Sequence, residues 1–265
     1  MKKIMFVLFT LMLMLSAAGL CETLKVGMEC NYAPYNWTQS EAGEKAVALA
    51  AGGYADGYDV RIAQKIADAM GRDLEIVKTE WDGLTPALLS GNIDVIVAGM
   101  SPTAQRKMTI DFTDPYYVTE LSLVIRKDSK FASAAKLSDL AGAKITGQMS
   151  TFHYDMIDQI PGVIKLPAQD SFPTMVVAVN SGAIDGYVAD YPGVQSAIAA
   201  NPDLTFISFE EGQGFEISPD DAEIAVGVRQ GDPIKDEINA ILAGISDEER
   251  NAIMVSAVED QPLSR

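Results

Sequence analysis

The sequence predicts an α/β protein with mostly parallel sheets. Three observations carry this. Short apolar runs alternate with amphipathic helical stretches, the run "IDVIVA" (93–98) is too uniformly apolar for a half-exposed strand, and the same rhythm recurs in both halves of the chain. Such alternation places parallel strands in one sheet with helices on its faces, so the strands lose their own apolar–polar alternation.

In chain order, "LKVGM" (24–28) reads as a strand. In "DVRIAQKIADAMG", Val60, Ala63, Ile66, Ala67 and Met70 fall at helical spacing, with Asp59 as N-cap and Gly71 as the stop. A strand at 74–77, a short helix at 82–91 and the buried strand at 93–98 follow, and Ser101-Pro102 opens another short helix with Ser101 as its cap. Strands at 120–126, 143–147, 163–166 and 183–189 alternate with helices at 151–159, 171–182 (capped by Ser171) and 192–200. "LTFISF" and "AEIAVGVR" are strands, "PIKDEINAILAGI" is a helix, and Ser246 with Glu249 forms a capping box for a last helix. The Ala/Gly-rich stretch 38–56 has no clear period and reads as a long loop.

The first 20 residues stand apart from this pattern. Lys2 and Lys3 precede an apolar core from Ile4 to Leu15, and small residues follow from Ser16 to Gly19. That is the pattern of a cleaved signal peptide, too short to span a bilayer comfortably as an anchor. The protein is therefore expected to be exported, to the periplasm or the cell surface. Cys21 stands where a bacterial lipoprotein carries its lipid-anchored cysteine, although Leu20 fits poorly at the small-residue position before it; lipidation stays open. Cys30 is too isolated to imply a disulfide framework and is expected to be a buried thiol.

With 20 Lys+Arg against 37 Asp+Glu, the formal net charge is −17. This argues against nucleic acid and anionic membrane surfaces as partners. Nothing asks for a cofactor or a metal: there is no Walker motif, no GxGxxG at a strand-to-helix turn and no His/Cys cluster. His153 is the single histidine, and "TFHYD" lacks a nucleophile elbow, so it is expected to be an ordinary neutral residue, packed or exposed.

Ligands of open α/β sheets bind beyond the carboxyl ends of the strands. Four such ends carry polar or aromatic groups: Glu29, Tyr32, Tyr35 and Trp37 after 24–28; Gly99, Ser101 and Arg106 after 93–98; Gln148, Ser150 and Thr151 after 143–147; and Asp190 after 183–189. Trp81 follows the 74–77 strand. Taken singly, each has a plainer reading: Arg106 as a solvated helix residue, Asp190, Ser101 and Thr151 as helix caps, Glu29 satisfied by its own loop, Tyr32 and Trp81 as packing aromatics. Taken together, an arginine for a carboxylate, an acid for an amine and aromatic walls are the parts needed to hold a zwitterion.

The run "LKVGMECNYAPYNW…GYDVRIAQKIADAMG…WDGLTPALLSGNIDVIVAGMSPTAQRKMTIDFTDPYY", continued by "KLSDLAGAKI" and "AVNSGAIDGYVAD", closely resembles the polar amino-acid-binding proteins of bacterial ABC importers, the family 3 extracellular solute-binding type. The resemblance covers nearly all of residues 24–245. It implies a two-lobed periplasmic-binding-protein-like fold with the ligand cleft between the lobes and a two-stranded hinge. Lobe 1 would be 24–117 plus 223–265 and lobe 2 would be 122–214, with crossings at 118–121 and 213–222. It further implies that Arg106 forks the ligand α-carboxylate, helped by backbone N–H groups of Ser101 and Thr151. Gly99 and Asp190 would take the α-ammonium, Tyr32 and Trp81 would sandwich the side chain, and Glu29 would face its far end. Ala98, Gln148 and Phe152 complete the expected ligand-binding set. Three positions depart from the family pattern: Ala98 stands where serine is frequent, Ser150 where glycine is usual, and Phe152 where a second threonine is common.

The function implied is a monomeric receptor that binds a free amino acid, with arginine or lysine favoured by Glu29, and delivers it to an ABC permease in the membrane without chemistry. Two alternatives share the fold: a cyclohexadienyl (arogenate/prephenate) dehydratase, and a sensor domain for a membrane receptor.

Overall fold

The structure, a computed structural model, describes residues 22–207 and 209–262. The expected signal peptide and Cys21 lie outside the described residues. Lobe one is built on a five-stranded sheet in the order β6-β1-β7-β14-β8, formed by β1 (Thr23–Met28), β6 (Asp73–Lys78), β7 (Val95–Ile96), β8 (Asp111–Val118) and β14 (Glu223–Val228). Lobe two carries a second sheet, β11-β10-β12-β9-β13, formed by β9 (Leu121–Arg126), β10 (Lys144–Thr146), β11 (Ile164–Lys165), β12 (Gly186–Asp190) and β13 (Leu204–Ile207).

In each sheet the first three strands pair in parallel and the last two join antiparallel. The antiparallel share is larger than in the mostly parallel sheets expected, and the cause is the path of the chain. β8, β9, β13 and β14 flank the passages from one sheet to the other. A strand that leaves its sheet has no crossover helix to return it in parallel.

The stretch expected to be a long loop is instead part of a third, antiparallel sheet, β2-β3-β5-β4. It consists of β2 (Asn31–Tyr32), β3 (Asn36–Gln39), β4 (Val47–Ala48) and β5 (Tyr54–Asp56). Strands this short show no periodicity. Their register rests on Trp37 opposite Asp56, and both of these residues are buried.

The helices are α1 (Tyr58–Met70), α2 (Leu84–Leu89), α3 (Ala104–Lys107), α4 (Phe152–Met156), α5 (Phe172–Asn180), α6 (Tyr191–Ala200), α7 (Pro219–Ala222), α8 (Ile234–Leu242) and α9 (Asp247–Asp260). α1 ends at Gly71 with φ 64°, as the sequence predicts, but its N-cap is Gly57 and not Asp59. Asp59 turns inward, fully buried, and accepts hydrogen bonds from Asn36 Nδ2 and the Tyr116 hydroxyl, each at 2.7 Å. Ser101 likewise does not cap α3. Thr103 does so, accepting the Arg106 N–H at 3.3 Å, while the Ser101 hydroxyl donates to the Asp221 carbonyl. Before α9, Ser246 accepts the Glu249 N–H at 3.2 Å, and the Glu249 carboxylate pairs with Lys65.

The core of the first sheet, centred on Leu24, Val26, Ile62, Ile66 and Ile96, continues through Tyr32 and Phe172 to Val124, Tyr187 and Ala189 of the second lobe. Leu123, Ile125, Ile145, Val188 and Ile207 form a separate cluster. Leu123 and Ile125 share a strand face that Val124 does not, so the second sheet is packed on both sides.

Asp59 ties α1 to β8 and to the small sheet. Asp59→Ala is predicted to destabilise the fold by about 3 kcal/mol, because two buried donors lose their acceptor. Urea unfolding measures this, and a change below about 0.5 kcal/mol would contradict it.

Candidate ligand site between the lobes

Three strand ends face one another across the lobes, and at each the chain turns through a left-handed residue: Cys30 (φ 56°), Gly99 (φ 60°) and Ser150 (φ 57°). For cysteine and serine this conformation costs on the order of 1 kcal/mol, and such strain collects at ligand sites. A glycine at position 150 would sit there at ease. At Ser150 the turn presents the carbonyl to lobe one, where Arg106 Nη2 (3.2 Å) and Trp81 Nε1 (3.3 Å) both donate to it.

Arg106 lies half-buried just past the end of the β7 segment. Its Nη1 donates to the Ser101 carbonyl at 2.9 Å, and its guanidinium lies over the Trp81 ring, 5.0 Å from the centroid. Burial lowers its pKa to about 10, against the pull of Asp221 and Asp190. It is therefore still a cation at neutral pH, and among the described residues no carboxylate forms a salt bridge with it. A guanidinium bonded only to neutral carbonyls is equipped to fork a carboxylate.

Glu29 is 3% exposed and bonded across the cleft. Gln148 Nε2 reaches its two carboxylate oxygens at 3.2 and 3.1 Å and also donates to the Asp170 carbonyl. Burial raises the Glu29 pKa from 4.5 to about 7, with the Gln148 hydrogen bond only partly opposing it. Its own loop does not satisfy it, and no cation pairs with it among the described residues. Asp190 stands at the N-cap position of α6 without capping it; Oδ2 accepts the Tyr32 hydroxyl at 2.9 Å instead.

The structure brings Tyr32, Trp81, Gly99, Ser101, Arg106, Gln148, Thr151 and Phe152 around one small cavity of about 10 Å³. That is room for about one water molecule, so the lobes stand nearly closed on one another. Glu29 and Asp190 stand behind this lining, bonded to Gln148 and Tyr32. Ala98 is buried and does not line the cavity.

The aromatic walls differ from the sandwich expected. Phe172 of lobe two stacks on Tyr32, with centroids 3.9 Å apart and planes 8° apart, and Tyr35 leans on Tyr32 as well. Trp81 is engaged by Arg106. Gly193 leaves space for the Tyr32 ring, since a Cβ there would stand 2.8 Å from it. Two lining residues were not expected, Phe172 and His153. Phe172 reads in sequence as an ordinary first helical residue, and only the apposition of the lobes gives it a partner. His153 reads in sequence as an ordinary neutral residue, and its place two residues after Thr151 is the one signal there that points to the cleft.

The fold and this cleft define a two-lobed solute-binding protein. The chain belongs to the bacterial extracellular solute-binding proteins, family 3, whose model matches residues 24–255. It is a binding protein of the ABC-importer type and not an enzyme. It is 32% identical over 202 residues to a probable histidine-binding protein of Campylobacter jejuni, covering 75% of this chain and 72% of that one. It is 25% identical over 229 residues to the arginine-binding extracellular protein ArtP of Bacillus subtilis, covering 84% and 81%. An amino acid ABC transporter substrate-binding protein from Streptococcus pneumoniae, solved bound to L-arginine, superposes with a TM-score of 0.78 at 27% identity, covering 89% of this chain and 94% of that one.

Because its folded pKa is raised, Glu29 favours the fold while protonated. That contribution is full below about pH 4.5 and is lost as pH rises through about 7. Relative to Glu29→Gln, the wild type is predicted to lose on the order of 3 kcal/mol between those limits. Urea unfolding of both proteins across this range checks it; parallel stability curves would contradict it.

Proposed function

We propose that the protein is the receptor of an ABC importer for cationic amino acids, arginine or lysine, which it carries to a membrane permease from the periplasm or the cell surface. The observation that carries the cationic reading is Glu29, a buried carboxylate whose only side-chain hydrogen-bond partner among the described residues is a neutral amide. An ionised carboxylate out of water is costly without a positive partner, and a bound guanidinium or ammonium removes that cost. On this reading Arg106 holds the α-carboxylate and Asp190, with the Gly99 carbonyl, holds the α-ammonium. The relatives named for arginine and histidine support an amino-acid ligand. None of the relatives described above is an enzyme or a sensor, and neither alternative function has support among them.

The ligand is taken by lobe closure. We place the crossings at 118–121 and 213–222, between strands that belong to different sheets. Opening there separates Phe172 from Tyr32 and Ser150 from Arg106, which frees the faces a ligand needs.

Arg106→Ala is predicted to lower affinity for L-arginine by at least about a hundredfold, since a bidentate charged pair is removed. Arg106→Lys is predicted to fall between the two, because a point charge cannot reproduce the fork. Isothermal calorimetry reads both, and wild-type affinity in Arg106→Ala would remove the assignment.

A further inference from the structure

His153 is the chain's only histidine, and it lies at the place assigned above to the ligand's amino group. It is 5% exposed, edge-on to Phe172 and against Phe152, and its ring lines the cavity with Tyr32, Gly99 and Arg106. Its Nε2 stands 3.4 Å from Asp190 Oδ1, but not in the geometry of a hydrogen bond. Neither ring nitrogen nor Asp190 Oδ1 has a hydrogen-bond partner among the described residues. Three buried polar atoms without a bond at one point are rare in a folded protein, and such a group calls for an explanation.

The chemistry of those atoms limits what can satisfy them. Asp190 Oδ1 is an acceptor, and a neutral imidazole offers one acceptor nitrogen and one donor. An ammonium group brings three donors and no acceptor, so a carboxylate oxygen and an imidazole nitrogen can each take one of its hydrogens. A hydroxyl brings only one donor, and a carboxylate would meet Asp190 charge to charge. His153 and Asp190 both belong to lobe two, on α4 and at the end of β12, so the pair persists whatever lobe one does.

We propose that His153 is a ligand-contacting, specificity-determining residue that takes the α-ammonium together with Asp190, making the amino-group seat a carboxylate–imidazole pair. This rests on the amino-acid-binding reading and deepens it. It makes the seat selective for a primary α-amine, because two acceptors of fixed direction, with Phe152 and Phe172 packed around the ring, leave no room for an N-alkyl group. The closure of lobe one brings the Gly99 carbonyl as the third acceptor.

The single histidine makes the test direct. Labelled protein prepared without a histidine tag gives one set of imidazole ring resonances, which are followed while unlabelled L-arginine and each of the other common amino acids is added. Calorimetry of the wild type, His153→Phe and His153→Gln then compares L-arginine with its des-amino analogue, 5-guanidinopentanoate. The ring resonances are expected to move at saturation with any amino acid that binds. His153→Phe is expected to lose about tenfold in affinity for L-arginine and almost none for the des-amino analogue, with His153→Gln recovering part of the loss. Unmoved resonances at saturation, or equal losses for the two compounds, would overturn the proposal while leaving the receptor reading intact. Binding of none of the amino acids would overturn the receptor reading and this inference together. If His153→Phe fails to fold, the wild-type resonances still decide.

Discussion

Glu29 has left water for a place where one amide is its only bonded partner among the described residues, and that amide belongs to the other lobe. A carboxylate at the end of β1 must either take up a proton or find a cation, since burial raises its pKa to about 7. The same contact explains why Gln148, at the turn after β10, is buried: its Nε2 spans from Glu29 to the Asp170 carbonyl and so fixes the loop that carries Ser150 and Thr151. Moving that loop would displace the carbonyl to which Arg106 and Trp81 both donate.

The groups aimed at a ligand are thus the groups that hold the lobes together. Tyr32 meets Asp190 and Phe172, Arg106 and Trp81 meet Ser150, and Glu29 meets Gln148. On the proposed reading, a zwitterion entering the cleft exchanges these bonds for stronger, charge-assisted ones, carboxylate to guanidinium and ammonium to carboxylate. Binding energy is then a difference between two sets of contacts made by the same side chains. Small changes at Phe172 or Gly193, which touch no charge, shift that difference by altering how closely lobe two approaches Tyr32.

Much of this was legible in the sequence because it follows from local pattern. The apolar run at 93–98, the spacing from Val60 to Met70 and the stop at Gly71 each act over a few residues. Arg106, Gln148 and Asp190 could be placed at strand ends from the same pattern together with the family resemblance. What could not be read depends on pairing across distance. The small sheet joins strands of two to four residues that carry no period. Asp59 looks like a cap, and only the arrival of Asn36 and Tyr116 makes it a buried acceptor. Phe172 becomes a wall of the cleft only because Gly193 admits the Tyr32 ring, and His153 gains its meaning from Asp190, thirty-seven residues away in the sequence.

The central claim is that the cleft binds an amino acid whose side chain ends in a positive charge. Thermal unfolding in the presence of each of the twenty amino acids tests it most directly, since a ligand at a hundredfold excess over its dissociation constant raises stability by about 2.7 kcal/mol, or roughly 5 °C or more in a chain of this size. L-Arginine and L-lysine should give the largest upward shifts and apolar amino acids almost none. A larger shift with L-glutamine or an apolar amino acid than with either cation would contradict it.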